Sequence, residues 1–169
     1  AEGHHTSAYD IALMSRELIL NHPDIRTYTT IWMDTLRDGT FQLSNTNKLI
    51  RFYDGATGLK TGSTDGALYC ISATAEKEGM ELIAVVMKAP TSAQRFEDAK
   101  AMLDYGFASF ALVRAWPEAP LAPVEVLLGV QGQVQPVLER DCRLLVSKGE
   151  EGSLTTRITL AEDVSAPVE

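Results

Sequence analysis

With 169 residues, 45% of them hydrophobic, the chain has room for one sizeable domain or for a domain and a small module. Its net charge of −8, with lysines and arginines scattered and no basic run, argues against nucleic-acid binding on electrostatic grounds. No apolar run approaches the roughly 20 residues that cross a bilayer, and Cys70 and Cys142 form no C-x-x-C pair, which excludes a zinc ribbon or a dithiol redox motif.

The chain starts with a polar loop. His4 and His5 within it are adjacent, so their side chains diverge and no third metal ligand stands at a suitable spacing. Ser7 and Asp10 form a capping-box signal, and Ile11, Met14 or Ser15, Leu18 and Ile19 mark the apolar face of a helix over about 8–20. Asn21-His22-Pro23 ends it. Residues 25–33, rich in Thr, Tyr, Ile and Trp, read as a strand. Arg37-Asp38-Gly39-Thr40 reads as a hairpin turn into a return strand at Phe41-Gln42-Leu43, and Ser44 or Asn45 as the cap of a short helix over 48–52.

The central stretch runs from Asp54 to Thr64, Asp-Gly-Ala-Thr-Gly-Leu-Lys-Thr-Gly-Ser-Thr. Asp54-Gly55 is a turn signal, and Gly58 and Gly62 let backbone come close to whatever Lys60 faces. A cation, a hydroxyl and an approachable amide on adjacent positions can hold a carboxylate or a developing oxyanion. Taken alone, Lys60 reads equally as a solvated charge, and Thr61 and Ser63 as ordinary strand residues. Two strands follow over about 67–75 and 82–88, joined by a turn at Glu76-Lys77-Glu78-Gly79. The second is apolar on both faces, as in a central strand covered on two sides. Thr91-Ser92 caps a long helix over about 93–110, with Gly106 a point where regularity could end early. Three prolines between Trp116 and Val124 read as a linker. Short β-rich runs at 124–128, 133–138, 142–146 and 155–160 then form a small all-β module.

Four segments occur in one order: His5-Thr6-Ser7-Ala8-Tyr9-Asp10-Ile11-Ala12, Asn45-Thr46-Asn47-Lys48-Leu49, Gly58-Leu59-Lys60-Thr61-Gly62-Ser63-Thr64, and Arg95-Phe96 with Leu103-Asp104-Tyr105-Gly106-Phe107. Together they resemble the C-terminal part of the D-alanyl-D-alanine carboxypeptidases, the low-molecular-mass penicillin-binding proteins, in which Lys-Thr-Gly accompanies S-x-x-K and S-x-N. The resemblance implies an α+β fold, a partial penicillin-binding-protein or β-lactamase-like transpeptidase fold in which an antiparallel sheet carries packed helices. A small all-β module follows it. Residues 1–114 are then the C-terminal part of the catalytic domain, 115–123 a Pro-rich linker, and 124–169 the start of a β-rich domain, expected to be incomplete.

The implied chemistry is acyl transfer through a serine ester, penicillin-sensitive and without metal or organic cofactor. It removes the terminal D-alanine of a peptidoglycan stem peptide. Lys60 would supply positive potential, Thr61 would hydrogen-bond the substrate carboxylate with Gly62 beside it, and the backbone N–H of Ser63 would be one oxyanion donor. Arg95 is a second candidate for the carboxylate, with a salt bridge to Glu97 or Asp98 as the competing reading; Thr64 and Lys48 are further substrate-side candidates. Neither S-x-x-K nor S-x-N occurs in the 169 residues. Thr57-Gly58-Leu59-Lys60 and Thr74-Ala75-Glu76-Lys77 are poor substitutes by position. The chain on its own is therefore expected to be inactive, with an exposed apolar face that calls for a missing N-terminal segment or a partner chain. Leu68 stands where the family usually has glycine. Partners implied are stem peptides and β-lactams, with no nucleic acid, and a membrane only through a segment not present; the implied location is extracytoplasmic. A non-catalytic binding or scaffold fragment and a β-lactamase-type hydrolase are the alternatives.

Overall fold

A computed structural model describes Gly3, residues 5–117 and residues 119–168. Ala1, Glu2 and His4 of the leading loop, Glu118 of the linker, and Glu169 lie outside the described residues. Two compact units divide at Ser109/Phe110.

The first unit is built on a sheet in the order β3-β4-β5, from Ala56–Thr64, Leu68–Lys77 and Met80–Ala89. Both pairings are antiparallel. Helix α1 (Ala8–Asn21) contacts β4 and β5, and α4 (Ser92–Ser109) packs on the same two strands. Strand alternation separates these contacts. Ile71, Ala73 and Ala75 of β4 join Ala84, Val86, Phe96, Ala99 and Leu103 in the core beneath α4. Ser72, of opposite parity, bonds instead to Ser15 of α1 at 2.7 Å. The α1 capping box forms as expected, with Ser7 Oγ accepting from Asp10 N at 3.1 Å. Of the two alternatives for the buried helix face, Ser15 is enclosed and Met14 is exposed.

Residues 25–33 depart from the expected strand. Ile25–Thr29 is a one-turn helix, α2, and the strand β1 begins only at Met33 (Met33–Leu36). Side-chain bonding overrides the β propensity of this segment. Thr30 Oγ1 donates to Arg26 O at 2.7 Å and Thr29 Oγ1 to Thr57 O at 2.6 Å, while Arg26 pairs with Glu81 on β5. β1 pairs antiparallel with β2 (Phe41–Ser44) through a turn with Arg37, Asp38 and Gly39 all at positive φ. The short helix α3 (Leu49–Phe52) is present, but neither Ser44 nor Asn45 caps it directly. Asn45 Oδ1 accepts from Asn47 N at 2.9 Å, and Asn47 Oδ1 accepts from Leu49 N at 3.1 Å.

The turn between β4 and β5 is tighter than expected, with Glu78 and Gly79 alone between the strands. α4 runs through Gly106 rather than ending there. That residue is buried, and a Cβ on it would stand 2.5 Å from Leu82 Cδ1, so the glycine admits the Leu82 side chain of β5.

In the second unit β6 (Phe110–Arg114) pairs antiparallel with β9 (Arg143–Ser147). Phe110, expected to end the long helix, therefore opens a strand. β7 (Val124–Leu127) lies between β8 (Gln133–Val134) and β10 (Asp163–Ser165), with β10 parallel to β7. The run expected over 133–138 stops after Val134, ahead of Pro136, which has no N–H to give a ladder. The run expected over 155–160 carries no strand; from 151 to 160 every residue but Leu160 is exposed, and no strand among the described residues pairs with it.

The start of β3 is set by Gly55 at φ +82°, where a Cβ would lie 2.5 Å from Glu76 O. Gly55→Ala combines a left-handed alanine with a backbone clash. It is expected to lower the unfolding free energy by about 2 kcal/mol, read as a shift in urea midpoint at unchanged slope.

Candidate active site

Strand β3 has two faces with different work. From Gly58 to Thr64 its pairing with β4 is regular, with Lys60 opposite Ser72, Gly62 opposite Cys70 and Thr64 opposite Leu68. Lys60, Gly62 and Thr64 therefore share the α1 side of the sheet, and Leu59, Thr61 and Ser63 the other. Lys60, Gly62, Ser63 and Thr64 are exposed, whereas Thr61 is 8% exposed. A hollow of about 550 Å3 opens between α1 and the sheet, with residues 59–64 along one wall and Met14, Ser15, Leu18 and Met87 among its other lining. This places the candidate residues 60–64 in one site. Lys48, exposed just before α3, and Arg95 do not line it.

Thr61, expected to hydrogen-bond a substrate carboxylate, also lines the hollow. Its hydroxyl is 2.6 Å from Thr46 Oγ1, which fixes the loop before α3 to the back of β3. The hydroxyl on the Lys60 face is that of Thr64. It accepts from Ala67 N at 3.0 Å and keeps its own proton free to donate.

Lys60 Nζ bonds to the carbonyl of Thr61 and has no acidic partner among the described residues. Its charge is thus uncompensated at the mouth of an apolar hollow, where attraction for an anionic group is least screened. Arg95 also lacks an acid among the described residues: neither Glu97 nor Asp98 pairs with it. Burial holds its guanidinium below the usual arginine range. Beside the hollow, Leu68 takes φ +49°, a left-handed conformation that favours glycine. The glycine expected at this position would fit that backbone without strain. Among the described residues no group of three or more His, Cys, Asp or Glu side chains could hold a metal ion.

Two features went unread in the sequence. Ser15 and Ser72 form a buried hydroxyl pair at the floor of the hollow, directly across from Lys60; a serine inside an apolar helical stripe was its one signal. The second is the network at the start of β3. Arg26 Nε donates to Glu81 Oε1 at 3.3 Å, and Thr57 Oγ1 stands 3.1 Å from the same oxygen and 2.8 Å from Thr74 Oγ1. These partners are 17 to 55 residues apart, and no local pattern announces them.

The sequence profile of the D-alanyl-D-alanine carboxypeptidases matches residues 1–91. The chain belongs to this family. It is similar to D-alanyl-D-alanine carboxypeptidase DacF of Bacillus subtilis, 37% identical over 99% of the chain and 44% of the relative. It is also similar to DacD of Escherichia coli, at 30% identity over 99% of the chain and 44% of the relative. Penicillin-binding protein 5 of Haemophilus influenzae superposes over 99% of the chain and 49% of its own length, with a TM-score of 0.71 at 26% identity. Penicillin-binding protein D2 of Listeria monocytogenes, solved in a cefotaxime-bound form, superposes over 63% of the chain and 44% of its own, with a TM-score of 0.58 at 36% identity. The mixed helical and antiparallel-sheet fold is that of penicillin-binding proteins. The chain spans less than half the length of each of these relatives.

The two faces of β3 can be separated by substitution. Thr61→Val removes a hydroxyl pair in a nearly buried position and is expected to cost about 1 kcal/mol in denaturant unfolding. Thr64→Val, on the exposed face, is expected to change stability by less than about 0.5 kcal/mol.

Proposed function

We propose that this chain forms the lysine-threonine-glycine wall of a serine-type D-alanyl-D-alanine carboxypeptidase. The observation that carries the reading is the row Lys60, Gly62 and Thr64, exposed on one face of an edge strand at the mouth of the hollow, with a lysine that has no acidic partner. The substrate is a peptidoglycan stem peptide ending in two D-alanines. A serine hydroxyl, supplied by a segment outside these 169 residues, attacks the carbonyl of the penultimate D-alanine. The terminal D-alanine leaves with a proton, and water then hydrolyses the ester.

Lys60 raises the positive potential for the substrate's terminal carboxylate and helps orient protons. The hydroxyls of Thr61 and Thr64 donate to that carboxylate, Thr61 accepting from Thr46 while it does so. The Ser63 N–H, on the edge strand, is one oxyanion donor, and Gly62 lets the substrate backbone approach; its missing Cβ has no atom within 4 Å. Lys48 stands off this wall and receives no role. β-Lactams acylate the same serine. The second unit begins the β-rich C-terminal domain, with its boundary at Phe110, where β6 joins β9, and the protein works outside the cytoplasmic membrane. The chain by itself performs no acyl transfer.

Fluorescent penicillin tests this directly. The longer parent polypeptide is expected to label covalently and to release D-alanine from a pentapeptide ending in D-Ala-D-Ala, while the 169-residue chain does neither. Labelling of the 169-residue chain alone would overturn the assignment of the nucleophile to another segment. In the parent, Lys60→Ala is expected to slow acylation by about 100-fold and Thr64→Val by about 10-fold.

A further inference from the structure

Arg95 lies on α4 and does not itself line the hollow; its guanidinium is bonded to two backbone carbonyls and one serine hydroxyl. Nη1 donates to Gly62 O and to Cys70 O, each at 3.3 Å, and Nη2 to Ser92 Oγ at 3.3 Å. The residue is 6% exposed. Its guanidinium carbon lies 4.6 Å from the Phe96 ring centroid and 5.6 Å from that of Tyr69. Its Nε has no hydrogen-bond partner among the described residues. A buried cation without an acid is costly, so its retention calls for a task that a neutral side chain does poorly.

The two carbonyls identify that task. Gly62 and Cys70 are direct cross-strand partners in β3 and β4. On its other side Cys70 sits at an irregularity. Pairing between β4 and β5 goes from Tyr69–Ala89 to Ile71–Val86, so Cys70 has no register partner on β5. Lys88, in the extra stretch, takes φ +59°, and its N–H bonds to Cys70 Sγ at 3.4 Å. A bulge of this kind breaks the ladder and loosens the strand. The guanidinium supplies a donor at the break and extends it across to Gly62, the last residue of the Lys-Thr-Gly triplet.

We propose that Arg95 is a positioning residue. It clamps the Gly62–Cys70 rung against the β4–β5 bulge and so sets the direction in which Lys60, Ser63 and Thr64 present themselves; it does not itself bind the substrate carboxylate. This rests on the reading of β3 as the wall of a carboxypeptidase site. A ligand carboxylate could pair with Arg95 only by displacing these backbone bonds and entering the layer between Tyr69 and Phe96.

The parent polypeptide carrying Arg95→Met or Arg95→Lys separates the two roles. Its acylation is measured with benzylpenicillin and with benzylpenicillin methyl ester, which lacks the carboxylate. The clamp predicts that Arg95→Met slows both by the same factor, about tenfold, leaving the acid-to-ester ratio unchanged. Arg95→Lys, with one ammonium in reach of both carbonyls, recovers part of each rate. Slowing confined to the acid would overturn the clamp and make Arg95 a carboxylate ligand.

A second measurement uses the 169-residue chain and needs no catalysis. Amide hydrogen exchange at residues 61–64 and 69–71 is expected to accelerate about tenfold in Arg95→Met, while exchange at 99–103 of α4 and the global unfolding midpoint stay unchanged. Unchanged exchange at the rung would overturn the proposal. Were the parent not acylated by either penicillin, the carboxypeptidase reading would fall, and the exchange experiment would still decide what Arg95 does.

Discussion

Everything in the site depends on how the outer edge of β3 is closed. An edge strand presents unpaired backbone groups along its free side. At the start of β3 two side chains cover them. Thr29 Oγ1 donates to Thr57 O at 2.6 Å and Asn47 Nδ2 to Gly58 O at 2.9 Å. From Lys60 onward that cover stops, apart from the bond of Lys60 to the neighbouring carbonyl. The strand is thus held where it begins and left open where the polar residues stand. α2 and the loop before α3, which have little core of their own, matter because they deliver Thr29 and Asn47 to that edge. Asn47 is 2% exposed and satisfied at both ends of its amide, which makes the loop a fixed part of the site wall.

The alternation of β3 then divides its residues between the two faces of the sheet. Thr61 bonds Thr46 behind the strand, and Lys60, Gly62 and Thr64 face the hollow. A slip of one residue would exchange these sets, burying a lysine and exposing Thr61. The register is held against that slip from both ends, by the Gly55 turn and by the Arg26–Glu81–Thr57–Thr74 network at one, and by the short Asp65–Ala67 turn at the other. The left-handed Leu68 at that second turn shows that the tight connection is kept even with a side chain poorly suited to it.

What was legible in the sequence follows the range of the interactions concerned. The helix caps at Ser7 and Thr91, the hairpin turn at Gly39, the Asp54-Gly55 turn and the three sheet strands each rest on residues a few positions apart, and they stand where the patterns put them. The segment 25–33 failed because its β-branched residues are used as side-chain donors in a helical turn, a choice made by Glu81 and Thr57 far along the chain. The run at 155–160 had the composition of a strand and no partner to pair with. In the candidate site, the Lys-Thr-Gly stretch stood out as a motif, and its residues line one hollow. What the motif did not announce is the bond of Thr61 to Thr46, although period-two geometry puts Thr61 on the sheet face opposite Lys60. The partners of Arg95 were illegible, since they are backbone carbonyls and carry no residue identity.

The two cations near the triplet illustrate how environment assigns roles to like charges. Neither has an acidic partner among the described residues. Lys60 is exposed, so its uncompensated charge costs little in hydration and remains available to an arriving anion. Arg95 is enclosed, so its charge must be met by fixed dipoles, here two carbonyls and two aromatic faces. A lysine in the place of Arg95 has no planar fork to lie between rings while reaching two carbonyls, and an arginine in the place of Lys60 spreads its charge over a group too broad for a single rung of the strand. The mobile, compact cation therefore belongs on the open face of β3 and the rigid, planar one behind it, and the division follows from the burial of each face.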